Sequence, residues 1–290
     1  MANYCFYMEY VIFYIFIFLL GLIVGSFLNC VIHRLEKEEK LNGRSYCPHC
    51  KHTLVWIDLI PVFSFLFLKG KCRYCHKKIS WQYPLVELTT GLVFLLILKF
   101  QLPHFELSIF YFLISIFSFY IASSLIVIFV YDLKHYIIPD KILFPAIAIT
   151  FLYQLITNYE FLVLNSLWAG LAASVFFCLI FTLSGGKWMG FGDCKIAILL
   201  GLILGFPNIL VGLFLAFFFG AIIGVGLIYL NKRKLTPLEV SESWWKSRKN
   251  KLLTGLKSEV PFAPFLITGT FTALFWGNEI INWYMSLLVF

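Results

Sequence analysis

Two aspartates in this sequence stand beside long apolar segments, where an ionisable side chain is costly and usually has a function. Asp132 follows an apolar run in VIFVYDLKHYIIPDK, and Asp193 precedes one in GFGDCK. Two carboxylates held close together share one proton, so the ionised group can take a proton from water while the protonated group polarises an amide carbonyl. Such a pair would hydrolyse a peptide bond without a covalent intermediate.

A structural role is the alternative for these acids. Asp193 is placed to cap the apolar helix that follows it, because an Asp at an N-cap accepts hydrogen bonds from free helix N–H groups. Asp140, before KILFPAIAI, has the same alternative, and there we prefer the capping interpretation. Asp132 closes an apolar helix, where its charge opposes the helix dipole, so a structural role explains it less well.

Glycines precede the second aspartate in GGKWMGFGDCK. Gly190 and Gly192 permit close approach or unwinding of the backbone. A helix end that unwinds can receive an extended peptide at membrane depth, provided that the irregular backbone is buried or lines a water-filled cavity. We therefore expect these two glycines to give the backbone flexibility that a bound peptide requires.

Two C-x-x-C pairs, CPHC and CRYC, lie in a polar stretch near the N-terminus. Their spacing is close to that of zinc ribbons and predicts a structural zinc site with four thiolate ligands, Cys47, Cys50, Cys72 and Cys75. We prefer a metal to disulfides because the charge pattern places this stretch in the cytoplasm, where disulfides are rare. A metal would also stabilise an insert of about 50 residues that is too small to bury a large core.

The composition indicates that lipid is the solvent for most of the chain. Hydrophobic residues make up 61% of the 290 positions and charged residues 13%, against about 25% charged residues in a typical soluble domain. Only helices and closed barrels satisfy backbone groups in hydrocarbon, and long unbroken apolar runs favour helices. The sequence thus predicts an all-α polytopic membrane protein, whose first apolar run is a retained helix rather than a signal peptide.

A hydrocarbon core of about 30 Å takes roughly 20 helical residues, and this ruler predicts about eight transmembrane helices. The predicted spans are 11–33, 84–100, 107–131, 141–157, 161–183, 194–206, 209–230 and 262–288. The sixth span is short, and Pro207 is expected to end it.

The basic residues predict the orientation in the membrane. Of the 23 Lys and Arg residues, 22 fall in one alternating set of loops, and Lys99 falls in the other. Because basic loops face the cytoplasm, both termini should lie outside and both aspartates at the cytoplasmic face. The net charge of +8 is then an orientation signal and a contact for anionic lipid, and we expect no nucleic acid as a partner. Trp244 and Trp245 are candidate interfacial anchors.

Six segments, in order and covering nearly the whole chain, resemble the type IV prepilin peptidases, which are bacterial membrane aspartic peptidases with N-methyltransferase activity. The segments are GSFLNCVIHRL at 25–35, the two C-x-x-C pairs, ISWQYPLVELTTGLVF at 79–94, DLKHYIIPD at 132–140, GFGD at 190–193 and VPFAPFLITG at 260–269. The G-x-G-D match alone is weak, whereas the ordered combination is highly specific. Glu36 and Ala263 depart from the residues common in the family, a proline and a glycine.

The resemblance implies that Asp132 and Asp193 are the catalytic pair of an aspartic endopeptidase in the bacterial plasma membrane. Its substrates would be prepilins or pseudopilins of a pilus, secretion or competence system, whose basic leader precedes a hydrophobic helix. Cleavage would follow a glycine on the cytoplasmic side, and the new N-terminal residue would be methylated from S-adenosylmethionine. The sequence contains no glycine-rich loop of Rossmann type and does not identify the residues that bind the methyl donor.

We accordingly divide the chain into a first transmembrane helix (1–33), a cytoplasmic four-cysteine zinc domain associated with methyl transfer (34–83) and a seven-helix peptidase domain (84–290) with a cytoplasmic loop at 231–261. One alternative is a transporter or channel with Asp132 and Asp193 in an ion path. Transporters more often show charges at mid-membrane and inverted repeats, which we do not find. Another alternative is a scaffold whose zinc loop docks partners.

Overall fold

Helices make up most of the computed structural model, which describes residues 2–101, 109–157, 160–233 and 261–288. The helices are α1 (Ala2–Glu36), α2 (Phe63–Phe67), α3 (Gln82–Gln101), α4 (Ile109–His135), α5 (Asp140–Thr157), α6 (Glu160–Ser184), α7 (Phe191–Leu204), α8 (Asn208–Arg233) and α9 (Ala263–Leu288). Two isolated β-bridges and a short 3-10 turn occur in the polar insert between α1 and α3, and no strand forms within the described ranges. The predicted all-α fold is confirmed.

The apolar runs of the sequence correspond closely to the long helices. Among the described residues, six helices are long and apolar enough to cross a bilayer, namely α1, α3, α4, α5, α6 and α8. The other two predicted spans correspond to α7 and α9. With 14 residues, α7 is about 21 Å long and falls short of a bilayer core of about 30 Å. In α9, Asn278 and Glu279 interrupt the apolar run.

Two apolar clusters fill the interior of the described helices. One cluster gathers buried side chains from α1, α3, α4 and α9, including Ile32 and Phe94. The other joins helices α4 to α9 around residues such as Phe177 and Leu199. Because α4 and α9 contribute to both clusters, these two helices hold the N-terminal and C-terminal halves together.

Small residues let pairs of helices approach closely, as is common where membrane helices pack. A Cβ atom at Gly21 of α1 would lie 2.6 Å from the Cα atom of Gly91 in α3. A Cβ atom at Gly201 of α7 would collide with the backbone of Gly170 in α6. These contacts fix α1 against α3 and the short α7 against α6.

The C-terminal end of α7 is held by side chains from its neighbours. Gly205 ends the helix with φ of 62°, and its N–H donates to the carbonyl of Gly201 at 2.8 Å. Gln154 of α5 donates to the carbonyl of Leu202 at 2.6 Å, and Asn165 donates to that of Phe206 at 2.9 Å. Free carbonyls at a helix end must be satisfied within the protein at membrane depth. The left-handed glycine thus ends α7 before the predicted stop at Pro207.

Trp244 and Trp245, with nearly all of the predicted loop at 231–261, lie outside the described residues. Their role as interfacial anchors stays a prediction.

Candidate active site

Asp132 lies inside the last turn of α4, because the helix continues to His135 beyond the predicted end at residue 131. The helix ends where Tyr136 adopts a left-handed conformation with φ of 59°, and the Tyr136 N–H donates to the carbonyl of Asp132 at 2.9 Å. The predicted span ended where the apolar pattern meets Asp132, whereas the helical backbone bonds continue until the chain reverses at Tyr136. The Asp132 side chain is 5% exposed.

Asp193 lies in the first turn of α7 and not at the capping position that the sequence suggested. Gly190 is the N-cap residue, with extended backbone angles of −80° and 152°. The Asp193 carboxylate reaches back to the N–H of Gly190, and its own N–H donates to the Gly190 carbonyl at 3.1 Å. An acid in this place satisfies a free N–H group and is favoured by the helix dipole. The side chain is 7% exposed.

The two aspartates lie on helix ends that share the same end of the bundle, near the start of α9. Both carboxylates are buried, and Asp132 is near enough for its charge to influence Asp193. The backbone N–H of Ala263, at the start of α9, interacts with the Asp132 carboxylate. The positive N-terminal end of the α9 dipole offsets the unfavourable effect of the α4 dipole on the Asp132 charge. Two buried carboxylates at close range repel each other when both are ionised, which favours a state with one shared proton.

Two contacts outside the pair join the motifs that carry the aspartates. The Lys195 ammonium group of α7 lies 2.9 Å from both carboxylate oxygens of Asp140, at the start of α5. A Cβ atom at Gly192 would lie 3.1 Å from Cδ1 of Ile138, in the turn after α4.

The preferred interpretation of Asp140 as the N-cap of α5 is wrong, as the backbone bonds at the start of this helix show. Pro139 accepts the first helical bonds of α5, and Asp140 instead binds Lys195.

Gly190, by contrast, faces open space. A Cβ atom there would find its nearest neighbours at 3.9 Å and 4.0 Å, the N atom of Gly192 and Oδ2 of Asp193. Its φ of −80° is accessible to any residue. The close approach expected of these glycines thus occurs at Gly192, and flexibility for a bound peptide stays a prediction.

The end of α1 also reaches the first aspartate motif. Glu36 accepts a hydrogen bond from Lys134 at 2.7 Å and lies 3.2 Å from Nε2 of His135. Glu36 is one of the departures from the family pattern. Its carboxylate ties α1 to the last turn of α4, beside Asp132.

The four predicted zinc ligands come together in the insert. The sulfur atoms of Cys47, Cys50, Cys72 and Cys75 all lie within 4.8 Å of one another, and Cys47 and Cys75 are 3.9 Å apart. Tetrahedral zinc with Zn–S bonds of about 2.3 Å separates its ligands by roughly 3.8 Å. The donor set and spacing therefore fit a tetrahedral metal ion with no open position.

The two C-x-x-C pairs form matching knuckles. In the first, the N–H of Lys51 donates to the Cys47 carbonyl at 2.9 Å, and in the second the N–H of His76 donates to the Cys72 carbonyl at 3.0 Å. Lys51 and His76 both have positive φ, and each knuckle is closed by one isolated β-bridge. Burial raises the pKa of Cys47, but the N–H groups of Cys50 and His49 and the nearby thiols bring this pKa down to about 7. Such knuckles stabilise the thiolate that a metal requires.

Buried charged groups attach the insert to the membrane helices. The guanidinium group of Arg34 donates to the carbonyls of Gly43 at 2.9 Å and Arg44 at 3.3 Å. The Glu87 carboxylate of α3 accepts the N–H of Val62 at 2.7 Å. Val62 has φ of 61°, which is strained for a β-branched residue, so Glu87 stabilises an unfavourable turn.

Two cavities flank the end of α4 within the described residues. A cavity of about 330 Å³, lined by both polar and apolar groups, lies between α1, the insert and the start of α3. An apolar groove of about 470 Å³ lies between α3, α4 and α9. Gln82 and Lys134 line both, so the groove and the cavity meet two residues beyond Asp132.

The sequence did not indicate several residues that shape this site. Ala263 contributes a backbone group, which no side-chain pattern reveals. The Lys195–Asp140 pair joins positions 55 residues apart, and only the packing of α5 against α7 brings them together. The VPFAPFLITG match at the start of α9 was the one available signal for Ala263.

Comparison with known families gives two matches in succession. Residues 19–100 match the bacterial peptidase A24 N-terminal domain, and residues 119–225 match the type IV leader peptidase family. The matched ranges include the four cysteines and both aspartates, respectively.

Curated relatives match nearly the full length. The chain is 30% identical over 303 residues to a prepilin leader peptidase/N-methyltransferase of Aeromonas salmonicida, and the alignment covers 94% of each chain. It is 31% identical over 277 residues to the enzyme of that name from Bacillus subtilis, covering 93% of this chain and 97% of the relative. No solved structure gives a significant match.

Proposed function

Because this chain belongs to the type IV leader peptidase family, we propose that Asp132 and Asp193 are its catalytic pair. The chain is a peptidase with methyltransferase activity, which removes the leader of type IV prepilins and methylates the new N-terminal residue. The observation that supports the catalytic assignment is that both motif aspartates are buried and near enough for the charge of one to influence the other.

The pair would act on a water molecule and the scissile amide. The ionised carboxylate takes a proton from water as the oxygen attacks the carbonyl carbon, and the protonated carboxyl group polarises the carbonyl oxygen. Collapse of the tetrahedral intermediate transfers a proton to the leaving amine. The Ala263 N–H supports the ionised form of Asp132, and the Gly190 N–H supports that of Asp193.

The apolar groove offers a place for the substrate's hydrophobic helix. Its walls include Val93, Ile126 and Phe271, and it ends at Gln82 and Lys134 beside the Asp132 motif. A helix lying there would present its N-terminal end at the level of the catalytic pair. The leader, which is basic in the prepilins of this family, would lie beyond that end on the polar side. Continuity with the catalytic motif supports this occupant over lipid.

The insert would bind one Zn²⁺ through Cys47, Cys50, Cys72 and Cys75, which hold it in a closed tetrahedral set. The metal would stabilise the insert and take no part in hydrolysis. We further propose the division into a first helix (1–33), a methyl-transfer domain (34–83) and a peptidase domain (84–290), and that S-adenosylmethionine is the methyl donor.

The chain is a multi-pass membrane protein of the bacterial inner membrane. We propose that both termini lie outside and that the aspartates face the cytoplasm, because 22 of the 23 basic residues belong to the loops on that side. The transporter alternative is not favoured, since the family and the position of the aspartates at helix ends both indicate a peptidase.

The direct test uses membranes that contain the full-length chain, incubated with a prepilin and S-adenosylmethionine. We expect mass spectrometry to find a product that begins after the leader glycine and carries one additional methyl group. A chain that leaves the leader intact while conducting ions would contradict the proposal and support the transporter alternative.

A further inference from the structure

The cavity between α1, the insert and α3 combines polar and apolar groups that catalysis by the aspartate pair does not use. It is bounded by α1, by the zinc knuckles and by the start of α3, and its volume of about 330 Å³ lies within the range of small-molecule sites. Tyr83 and Phe65 supply aromatic surface, and Glu87 and Asp58 supply carboxylates. Lys134 adds a cation at the rim.

His33 lines the cavity and carries an unsatisfied polar atom. Its Nε2 atom is buried and has no hydrogen-bond partner among the residues that the structure describes. Its other ring nitrogen lies 4.0 Å from Glu36. A buried nitrogen without a partner is costly, and this one belongs to a residue that lines the cavity. A bound polar molecule would satisfy it once the imidazole ring turned this nitrogen toward the cavity.

The position of the cavity relates it to the product of cleavage. Gln82 and Lys134 line both the cavity and the apolar groove, and Lys134 lies two residues beyond Asp132. A substrate helix in the groove would therefore leave its newly released amine at the mouth of the cavity. A methyl donor has to be bound near this amine, because the substrate helix remains in the membrane.

We infer that this cavity, at the junction of α1, the zinc insert and α3, binds S-adenosylmethionine; the inference rests on the proposed function. The ligand's flat adenine ring suits the aromatic side chains, its ribose hydroxyls and ammonium group suit the carboxylates, and its carboxylate suits the lysine. In the transfer, the amine nitrogen forms a bond to the methyl carbon while the bond from that carbon to sulfur breaks. Sulfur keeps the electron pair, and the methylated amine loses a proton to water.

Equilibrium dialysis of radiolabelled S-adenosylmethionine against the purified full-length chain tests this inference. We expect His33→Ala and Tyr83→Ala each to weaken binding by at least about tenfold, as for the loss of one anchoring group, while prepilin cleavage persists. Tyr83→Phe should retain binding because it keeps the ring. His52→Ala is the matched control, since this ring lies in the same insert outside the cavity.

Persistent cleavage and zinc content establish that each cavity variant is folded. Wild-type affinity in both cavity variants would overturn the inference, as would a wild-type chain that cleaves prepilin without binding the methyl donor. If the wild-type chain retained phosphatidylglycerol in place of the donor and both cavity variants lost this lipid, the cavity would bind a lipid head group. That result would also overturn the inference. Failure to cleave prepilin, with donor binding that depends on the cavity, would instead count against the proposed function alone.

Discussion

Lys195 of α7 binds Asp140 of α5, with its ammonium nitrogen 2.9 Å from both carboxylate oxygens. Lys195 follows Asp193 by two residues, and Asp140 closes the motif that begins with Asp132. An ion pair outside the proposed catalytic pair thus joins the two motifs. The Lys195 and Asp140 side chains are 27% and 51% exposed, so water weakens this ion pair.

Removing the ion pair should therefore have a small effect. We expect Lys195→Ala or Asp140→Ala to lower the free energy of unfolding by no more than about 1 kcal/mol and to reduce cleavage without abolishing it. A double-mutant cycle on melting temperature and cleavage rate measures the coupling. Complete loss of cleavage in Asp140→Ala would give Asp140 a catalytic role that the structure does not indicate.

Replacement of either buried aspartate should stop the reaction. We expect Asp132→Asn and Asp193→Asn each to reduce prepilin cleavage by at least about 100-fold, because an amide cannot exchange the proton on which general acid–base catalysis depends. Immunoblotting should show normal accumulation in the membrane, and Asp140→Asn is the matched control. Full cleavage by either variant would exclude the paired mechanism.

The two glycines before Asp193 should differ in their tolerance of a side chain. Gly192→Ala places a Cβ atom 3.1 Å from Cδ1 of Ile138 and should slow cleavage, whereas Gly190→Ala meets nothing closer than 3.9 Å. Ile138→Val removes the Cδ1 atom and should restore activity to Gly192→Ala. If Gly190→Ala proves the more damaging change, Gly190 contributes backbone flexibility during substrate binding, and the packing of Gly192 is not the deciding factor.

The zinc site should be lost when one ligand is removed from each knuckle. Elemental analysis of the purified chain should find about one zinc per molecule, as four thiolates in a closed set bind one ion. Cys47→Ser combined with Cys72→Ser should remove it, while Cys178→Ser in α6 should not. Unchanged zinc in the double variant would show that the metal is held elsewhere.

The contact of α7 with α6 should not accept a larger residue. Gly201→Leu forces side-chain atoms into the backbone of Gly170, and overpacking of this kind costs about 1–3 kcal/mol. Gly224→Leu in α8 is the control, because nothing lies within 4 Å of the added carbon there. Melting curves in detergent should separate the two, and equal melting temperatures would refute the tight contact.

The sequence predicted which segments are helical because length and apolarity alone decide that in lipid. It also predicted the four thiols, since ligand spacing within each knuckle is local. It could not predict the contact of Ala263 with Asp132 or that of Lys195 with Asp140. Both depend on which face of each helix turns inward, and helices that are apolar on all sides do not encode this in a simple period.

The short helix α7 has a consequence for how the protein responds to its bilayer. Much of its surface is buried, including Ile196, Leu199 and Leu200, and Gln154 satisfies a carbonyl near its C-terminal end. Its length is therefore matched to neighbouring helices and not to acyl chains. In a thicker or thinner bilayer, hydrophobic mismatch would be absorbed by tilting of the lipid-facing helices, while the helix that carries Asp193 would keep its depth within the bundle.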